Sequence, residues 1–329
     1  GGRNDEDIAL VLPPWQQSFD TVAMDPDRRV REGLFGAHKV LAKRVKKQMA
    51  KHIKSLMLPW LCGRFDPEAS VRAAANSAFS TLFPPHKVPE AFMFCRNEIV
   101  RGVVENIGHT VQTLCDPKVF SKEEAEETYV RVLSSSLLAL SHVLDAVTPE
   151  QATALVGGGE VVSLPALWRL GNHSSVLVRA ALYTLTRSIA LQAPTALHDE
   201  AAPGESRLKQ AAGMVLGALG DKDPAGHSQM WESVLVLVKT FPSAFSLVNL
   251  NKAVLPKLWT FLKNAGYGSA PSSFPCVVPL LDLCFAAMPE EEAGRLHATA
   301  LESVWAGIAA AGKDGKEPAV KCFFEVLVD

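Results

Sequence analysis

The 329-residue sequence lacks the marks of several functional classes. No apolar run reaches the roughly twenty residues that a bilayer-spanning helix needs. The chain opens on acids, Asn4-Asp5-Glu6-Asp7, where a secretory signal would place basic and then apolar residues. Its six cysteines (Cys62, Cys95, Cys115, Cys276, Cys284 and Cys322) are scattered and form no CxxC pair. That usage fits a reducing, intracellular setting better than a disulfide frame. There is no GxxxxGK[ST], no HExxH and no GxSxG. Gly157-Gly158-Gly159 lacks the glycine spacing and the preceding strand of a dinucleotide turn. The nine histidines are dispersed, and a metal site needs ligands that converge. A lone one such as His142 reads as packed or solvated. No catalytic residue, metal ligand or cofactor is therefore expected within this chain.

What is present is material for helices. Hydrophobic residues make up 48% and charged residues 21%, enough for a substantial core. The stretch Leu56–Leu82 reads as two helices joined by a sharp turn. Leu56, Leu58, Trp60 and Leu61 give the first an apolar body. Asp66 then caps the turn before Pro67, which suits a first helical position because its missing N–H would be unpaired there anyway. Val71, Ala75, Ala78, Phe79 and Leu82 form one stripe at helical spacing, and Pro84-Pro85 stops it. The same phrase recurs around Asp25-Pro26, with Val30, Leu34, Ala37 and Leu41 in register and Arg31 matching Arg72. A weaker copy has Asn172-His173 before Val178-Arg179, then Leu182, Leu185 and Ile189. Leu58-Pro59-Trp60 resembles Leu164–Trp168 and Leu255–Trp259, as though each opened the first helix of a unit. A two-helix unit of about forty residues is the period of HEAT and armadillo arrays, whose units bury their apolar faces only against neighbours. The expected fold is all-α, a HEAT/armadillo-like solenoid of stacked antiparallel helix pairs. It would be one continuous body over 1–329, about seven or eight pairs long, with the array continuing beyond Asp329.

The rest of the chain supports helices throughout. Residues 8–24 supply Trp15 and Phe19 as anchors. Ala91–Ile107 reads as one amphipathic helix. Ser121–Glu124 and Thr148–Gln151 have the capping-box form, and Ser134-Ser135-Ser136 is small enough to let a neighbouring helix approach. Ala201–Ser206, Leu219–His227 and Lys263–Ser273 read as loops, the last as a mobile one. Met230–Phe241, Val277–Met288, Glu290–Ala311 and Pro318–Val328 read as further helices.

Charge is unevenly spread. Ten Lys or Arg and one acid, Glu32, lie between Arg28 and Lys54; that window carries +9 in a chain of net charge −2, leaving −11 for the remainder. On a single continuous helix Lys39, Lys43, Lys46, Lys47 and Lys54 would fall within about a hundred degrees of one another. A solvated helix face is the plain reading. The near absence of balancing acids sets an anionic partner beside it as an equal reading, and RNA duplexes are bound largely through backbone and shape. Arg28, Arg29, Lys39, Lys43, Lys46, Lys47 and Lys54 are the candidate docking residues. Pro59, Trp60, Asp66, Pro67 and Arg72 are read as turn and core residues.

Several ordered phrases carry a specific resemblance: Asp25–Arg31 (DPDRRVR), Lys54–Trp60 (KSLMLPW), Phe65-Asp66-Pro67 and Val132–Leu140 (VLSSSLLAL). Over Leu12–Leu144 the chain resembles the N-terminal region of the listerin family of RING-type E3 ubiquitin ligases. Residues 1–147 are the most family-like; over 148–329 the likeness rests mainly on helical organisation and phrases such as Leu164–Arg169. The resemblance implies a HEAT/armadillo-like rod with a distant C-terminal RING. It implies a cytosolic role in ribosome-associated quality control, where nascent chains stuck on the separated large ribosomal subunit are ubiquitinated. The implied partners are that subunit, through ribosomal RNA and proteins, and the nascent-chain-binding cofactor of the pathway. No membrane partner is expected, and the chain should be a monomer. No zinc-ligand Cys/His array is present, so the ligase chemistry and its zinc are expected only in the absent RING. The alternative is a HEAT-repeat adaptor or scaffold that grips a protein or peptide in its concave face.

Overall fold

The computed structural model describes residues 8–198, 206–286 and 288–328. Among them there is no β-strand, and helix follows helix through short turns. The acidic opening and most of the expected loop at 201–206 lie outside the described residues. The chain divides into two compact units, Gly1–Leu167 and Trp168–Asp329.

The first unit holds α1 (Leu12–Ala23), α2 (Arg28–Val45), a 3₁₀ turn (Lys46–Lys51), α3 (Ile53–Arg64), α4 (Ala69–Leu82), α5 (Val88–Phe94), α6 (Arg96–Gly108), α7 (Val111–Leu114), α8 (Lys122–Ala146) and α9 (Pro149–Val156). The short α10 (Pro165–Arg169) lies across the division. Within the unit α1 packs on α3, α2 on α4, and α3 on both α6 and α8. This is the helix-on-helix stacking of an all-α solenoid. Ser121 and Thr148 do form capping boxes, with Glu124 and Gln151 reaching back to the cap N–H groups. Ser134, Ser135 and Ser136 are all buried. The Ser136 hydroxyl accepts from Asn106 Nδ2 of α6 at 2.8 Å and lies 3.5 Å from Cys62 Sγ of α3. Close approach also explains Gly63, where a Cβ would fall 2.1 Å from the Phe35 ring.

Trp60 is fully buried and donates its indole N–H to the Ala75 carbonyl at 3.1 Å. It meets His38 edge-on at 4.2 Å between ring centroids. That contact rules out the continuous basic helix read from periodicity. Residues twenty-two positions apart on one helix would be separated by about 33 Å at 1.5 Å per residue. The chain instead breaks after Val45, and α3 returns beside α1. A second break at Cys95 divides the helix expected over Ala91–Ile107. It lets Phe92 of α5 reach Phe79, while α6 packs on α3. Pro59 does not open a helix but sits inside α3, whereas Pro165 and Pro256 stand in first turns as read.

The turns carry a repeated device. Asp25 and Asp66 each accept, through a carboxylate oxygen, the N–H two residues on, at 2.8 and 2.9 Å. Arg31, buried, grips Asp66 of the following turn with two hydrogen bonds of 2.8 and 3.1 Å. Its remaining nitrogen donates back to the Asp25 and Pro26 carbonyls. Arg72 repeats the backward half, donating to the Asp66 and Pro67 carbonyls at 2.6 Å each. Arg131 of α8 enters the same site, with Asp66 at 4.0 Å and the carbonyls of Ala23, Met24 and Asp25 as acceptors. Burial pulls its guanidinium down to about 10.

The second unit holds α11 (Val176–Gln192), α12 (Arg207–Gly217), α13 (His227–Thr240), α14 (Ala244–Leu247), a π-helical turn (Leu250–Val254), α15 (Leu255–Lys263), α16 (Ala270–Ser273), α17 (Val277–Ala286), α18 (Glu290–Ala310) and α19 (Lys313–Val328). Here α11 packs on α13, α15 on α18, and α18 on α19. The device recurs: Arg179 grips Asp221 at 2.7 and 2.9 Å and donates back to the His173 and Ser174 carbonyls. The expected mobile loop at 263–273 is built differently. Ala265, Gly266, Ala270 and Ser273 are buried, and the segment forms a compact turn leading into α16. Its small residues are there to fit under neighbouring helices rather than to swing free.

Removing the Asp66 carboxylate leaves two arginines facing each other in a buried site. Asp66→Ala should lower unfolding free energy by about 3–5 kcal/mol, read from the urea midpoint. A second effect follows from His38, which has no solvent exposure, accepts from Trp15 Nε1 at 3.0 Å and is held down to about 4 by burial. The unfolded chain binds the proton first, so this contribution to stability is complete above the ordinary histidine value and is lost as pH falls towards 4. Between pH 7 and pH 5 the wild type should lose about 2 kcal/mol more than His38→Gln, measured by urea unfolding at each pH.

Candidate docking surface

The candidate cations lie on α2, the 3₁₀ turn and the start of α3, and the structure separates them by what each touches. Arg28 approaches Glu68 at 3.8 Å. Arg29 makes a bidentate pair with Asp27, its shortest contact 2.7 Å, which holds that carboxyl down to about 2. Lys39 is half-buried and donates to the Ser77 hydroxyl of α4 at 2.7 Å. Lys54 stands 3.8 Å from Glu98 and over the Phe94 ring at 4.9 Å. Lys43 and Lys47 are exposed and pair with no other described residue. The side chain of Lys46 lies outside what the structure describes. Because the chain breaks after Val45, Lys47 and Lys54 are not on the helix that carries Lys39 and Lys43.

The window's charge is thus partly internal. Arg31, counted in the +9 of the sequence, is consumed by Asp66. The two arginines at the start of α2 have carboxylates beside them. What remains open to an anion is the end of α2 and the turn after it, carrying Lys43 and Lys47. Lys43 also stands in the last turn of α2, where the exposed carbonyls favour a cation. Lys47 has no such structural explanation.

Pro59, Trp60, Asp66, Pro67 and Arg72 lie elsewhere in function. Trp60 and Asp66 are buried, Arg72 is half-exposed and tied to carbonyls, and Pro59 and Pro67 shape the backbone. The reading missed Arg131, which arrives from 65 residues beyond Asp66 in the chain and has no local motif. It also missed Asp221, His227 and Ser269, which continue the device of the turns. The signal for Asp221 and His227 was the interval of six from turn acid to helix cation, as in Asp25 to Arg31 and Asp66 to Arg72.

Pro59 faces a cleft of about 310 Å³ between α1, α3, α6 and α8, lined among others by Asp20, Glu98 and Glu105. Burial first, and Glu105 second, raises the Asp20 carboxyl. Among the described residues no group of three or more His, Cys, Asp or Glu could hold a metal ion, and no helix is long and apolar enough to cross a membrane.

The family described as E3 ubiquitin-protein ligase listerin, N-terminal domain, matches residues 2–284. The chain belongs to this family. It is 34% identical over 281 residues to E3 ubiquitin-protein ligase listerin of Xenopus tropicalis, and 33% identical over the same length to that of Gallus gallus and that of Mus musculus. Each comparison covers 85% of this chain and 16% of the relative. The chain therefore spans about a sixth of the length of these listerins. The match takes in all of the first unit from residue 2, including every candidate cation, and runs in the second unit as far as α17.

Among the described residues Lys43 and Lys47 pair with no other side chain, and Lys43 adds only its charge at the end of α2. Lys43→Ala with Lys47→Ala should leave the unfolding free energy within about 0.5 kcal/mol of wild type, the range for exposed positions; a larger loss would make them structural.

Proposed function

We propose that this chain is the non-catalytic docking module of a listerin-type E3 ubiquitin ligase. It brings the ligase to the nascent-chain-obstructed large ribosomal subunit in cytosolic ribosome-associated quality control. The ubiquitin-transferring RING and its zinc belong to another part of the longer protein. The module works as a monomer and sits beside the nascent-chain-binding cofactor of the pathway. Its contact with the subunit is electrostatic. The observation that carries this reading is the exposed cationic end of α2 and the turn after it, where Lys43 and Lys47 meet no carboxylate among the described residues, in a chain whose remainder is acidic. Ammonium groups held outward in this way neutralise phosphates without reading sequence, which suits a rigid RNA surface. Arg28, Arg29 and Lys54 contribute less, because each would first have to leave the acid beside it.

Reversal of charge at Lys43, Lys46 and Lys47 to glutamate should abolish co-sedimentation with purified large subunits while the helical circular dichroism stays intact. Binding by the wild type should weaken with salt, with a slope of roughly 0.7–0.9 in log–log terms for each phosphate contact. Equal binding by the reversed chain, or binding indifferent to salt, would reject the assignment.

A further inference from the structure

We propose that Phe94 is a stacking platform for an unpaired base of the RNA on which this module docks. The proposal rests on the docking reading above and names the part of the RNA that is taken: a stretch whose bases are free, rather than a duplex.

Phe94 ends α5, where the chain breaks before α6. Phe92 and Cys95 on either side of it have no solvent exposure, whereas Phe94 itself is 55% exposed. A single exposed apolar side chain is common on a folded surface and calls for no partner. Phe94 differs in its company. The Lys54 ammonium lies over its ring, 4.9 Å from the centroid, where the π-face attracts a cation. Lys54 belongs to the basic window and follows the exposed Lys47 and Lys51 by seven and three residues. The chain thus runs straight from the docking turn to the ring. The ammonium is loosely held. Its other contact, Glu98 at 3.8 Å, is longer than a hydrogen bond, and nearly half of its side chain is in water.

The surroundings decide what kind of partner the ring suits. An apolar protein contact covers a contiguous apolar patch of a few hundred Å². Here the exposed side chains nearest to Phe94 in the chain are polar: Glu90, Arg96 and Asn97. A nucleobase is flat, offers a π-face and carries polar edges, so it stacks on one ring without a wider apolar surface. Arg96 and Asn97 supply donors for those edges or for a phosphate. Arg96 spends only a 3.5 Å contact on the Met93 carbonyl. With Arg101 these two line a hollow of about 340 Å³ between α6 and the end of α9, into which a strand can continue past the ring. Paired bases cannot use such a platform, because each already lies between its neighbours in the duplex stack; aromatic stacking is how unpaired strands are held.

Charge along this strip nearly cancels. Lys54 stands by Glu98, Arg101 stands 3.8 Å from Glu105, and Glu160 shares the hollow with Arg96. The ring therefore adds affinity that salt does not screen, while Lys43 and Lys47 supply the part that salt does screen.

The whole chain is titrated with a short unpaired RNA strand, and with the duplex which that strand forms with its complement, over a range of salt. Phe94→Ala should weaken binding of the single strand roughly five- to 150-fold, the range for one lost base stack. It should leave the salt slope unchanged and the duplex unaffected. Phe94→Trp should keep or tighten the single strand, and Phe94→Leu, apolar but without a π-face, should behave as the alanine variant. Urea midpoints at the wild-type value, expected for an exposed position, separate a lost stack from a lost fold. Undiminished binding by Phe94→Ala, equal loss on strand and duplex, or full binding by Phe94→Leu overturns the platform while salt-dependent docking stands. So does a Phe94→Ala variant that loses purified large subunits but not the single strand, since the ring would then meet protein. A wild type that binds neither RNA overturns the platform and the docking reading together.

Discussion

Two arginines and one aspartate share a buried site in the first unit, and their formal charges leave one positive charge over. The excess is absorbed by backbone. Arg131 points three of its contacts at the carbonyls that end α1, the negative end of that helix, and Arg31 points two more at the turn that follows. Asp66 meanwhile shapes its own turn by accepting the Glu68 N–H. One carboxylate thus ties the end of α1, the start of α2, the turn before α4 and the middle of α8. Charges taken out of water in this way are stabilising only when every lone pair and every N–H is matched, so the site specifies geometry more than it adds stability.

That commitment sorts the surface. Cations in the window from Arg28 to Lys54 look alike in composition, yet they serve different ends. Arg31 belongs to the core. Arg28, Arg29 and Lys54 have acids beside them, and Lys39 braces α4. Among the described candidate cations, Lys43 and Lys47, where α2 ends and the chain turns back, have no acid beside them. The proposed docking would use a few outward ammonium groups of a chain that spans about a sixth of its relatives' length.

Periodicity made much of the fold legible. The stripe from Val71 to Leu82 and its copy from Val30 became α4 and α2, packed on each other. The capping boxes at Ser121 and Thr148 start helices where they were read. The failures share one cause. A helical wheel assumes an unbroken helix, and it cannot see that Trp60 must return to His38 or that Phe92 must reach Phe79. Composition misled at 263–273 for a related reason. Glycine and serine suit a flexible loop, and they equally suit a turn whose backbone is left-handed and whose hydroxyls are buried. Only the neighbouring Phe261 and His227 distinguish the two.

Local sequence was sufficient to decide that this chain is helical, where its acid-capped turns fall, and which family it resembles, because those features depend on residues within a few positions of one another. Tertiary structure decided which of the many cations remain available to a partner. A guanidinium or ammonium is neutralised by whatever carboxylate or carbonyl the fold brings within about 4 Å, and Arg131 meets Asp25 across 106 positions of chain. No window along the sequence contains that distance.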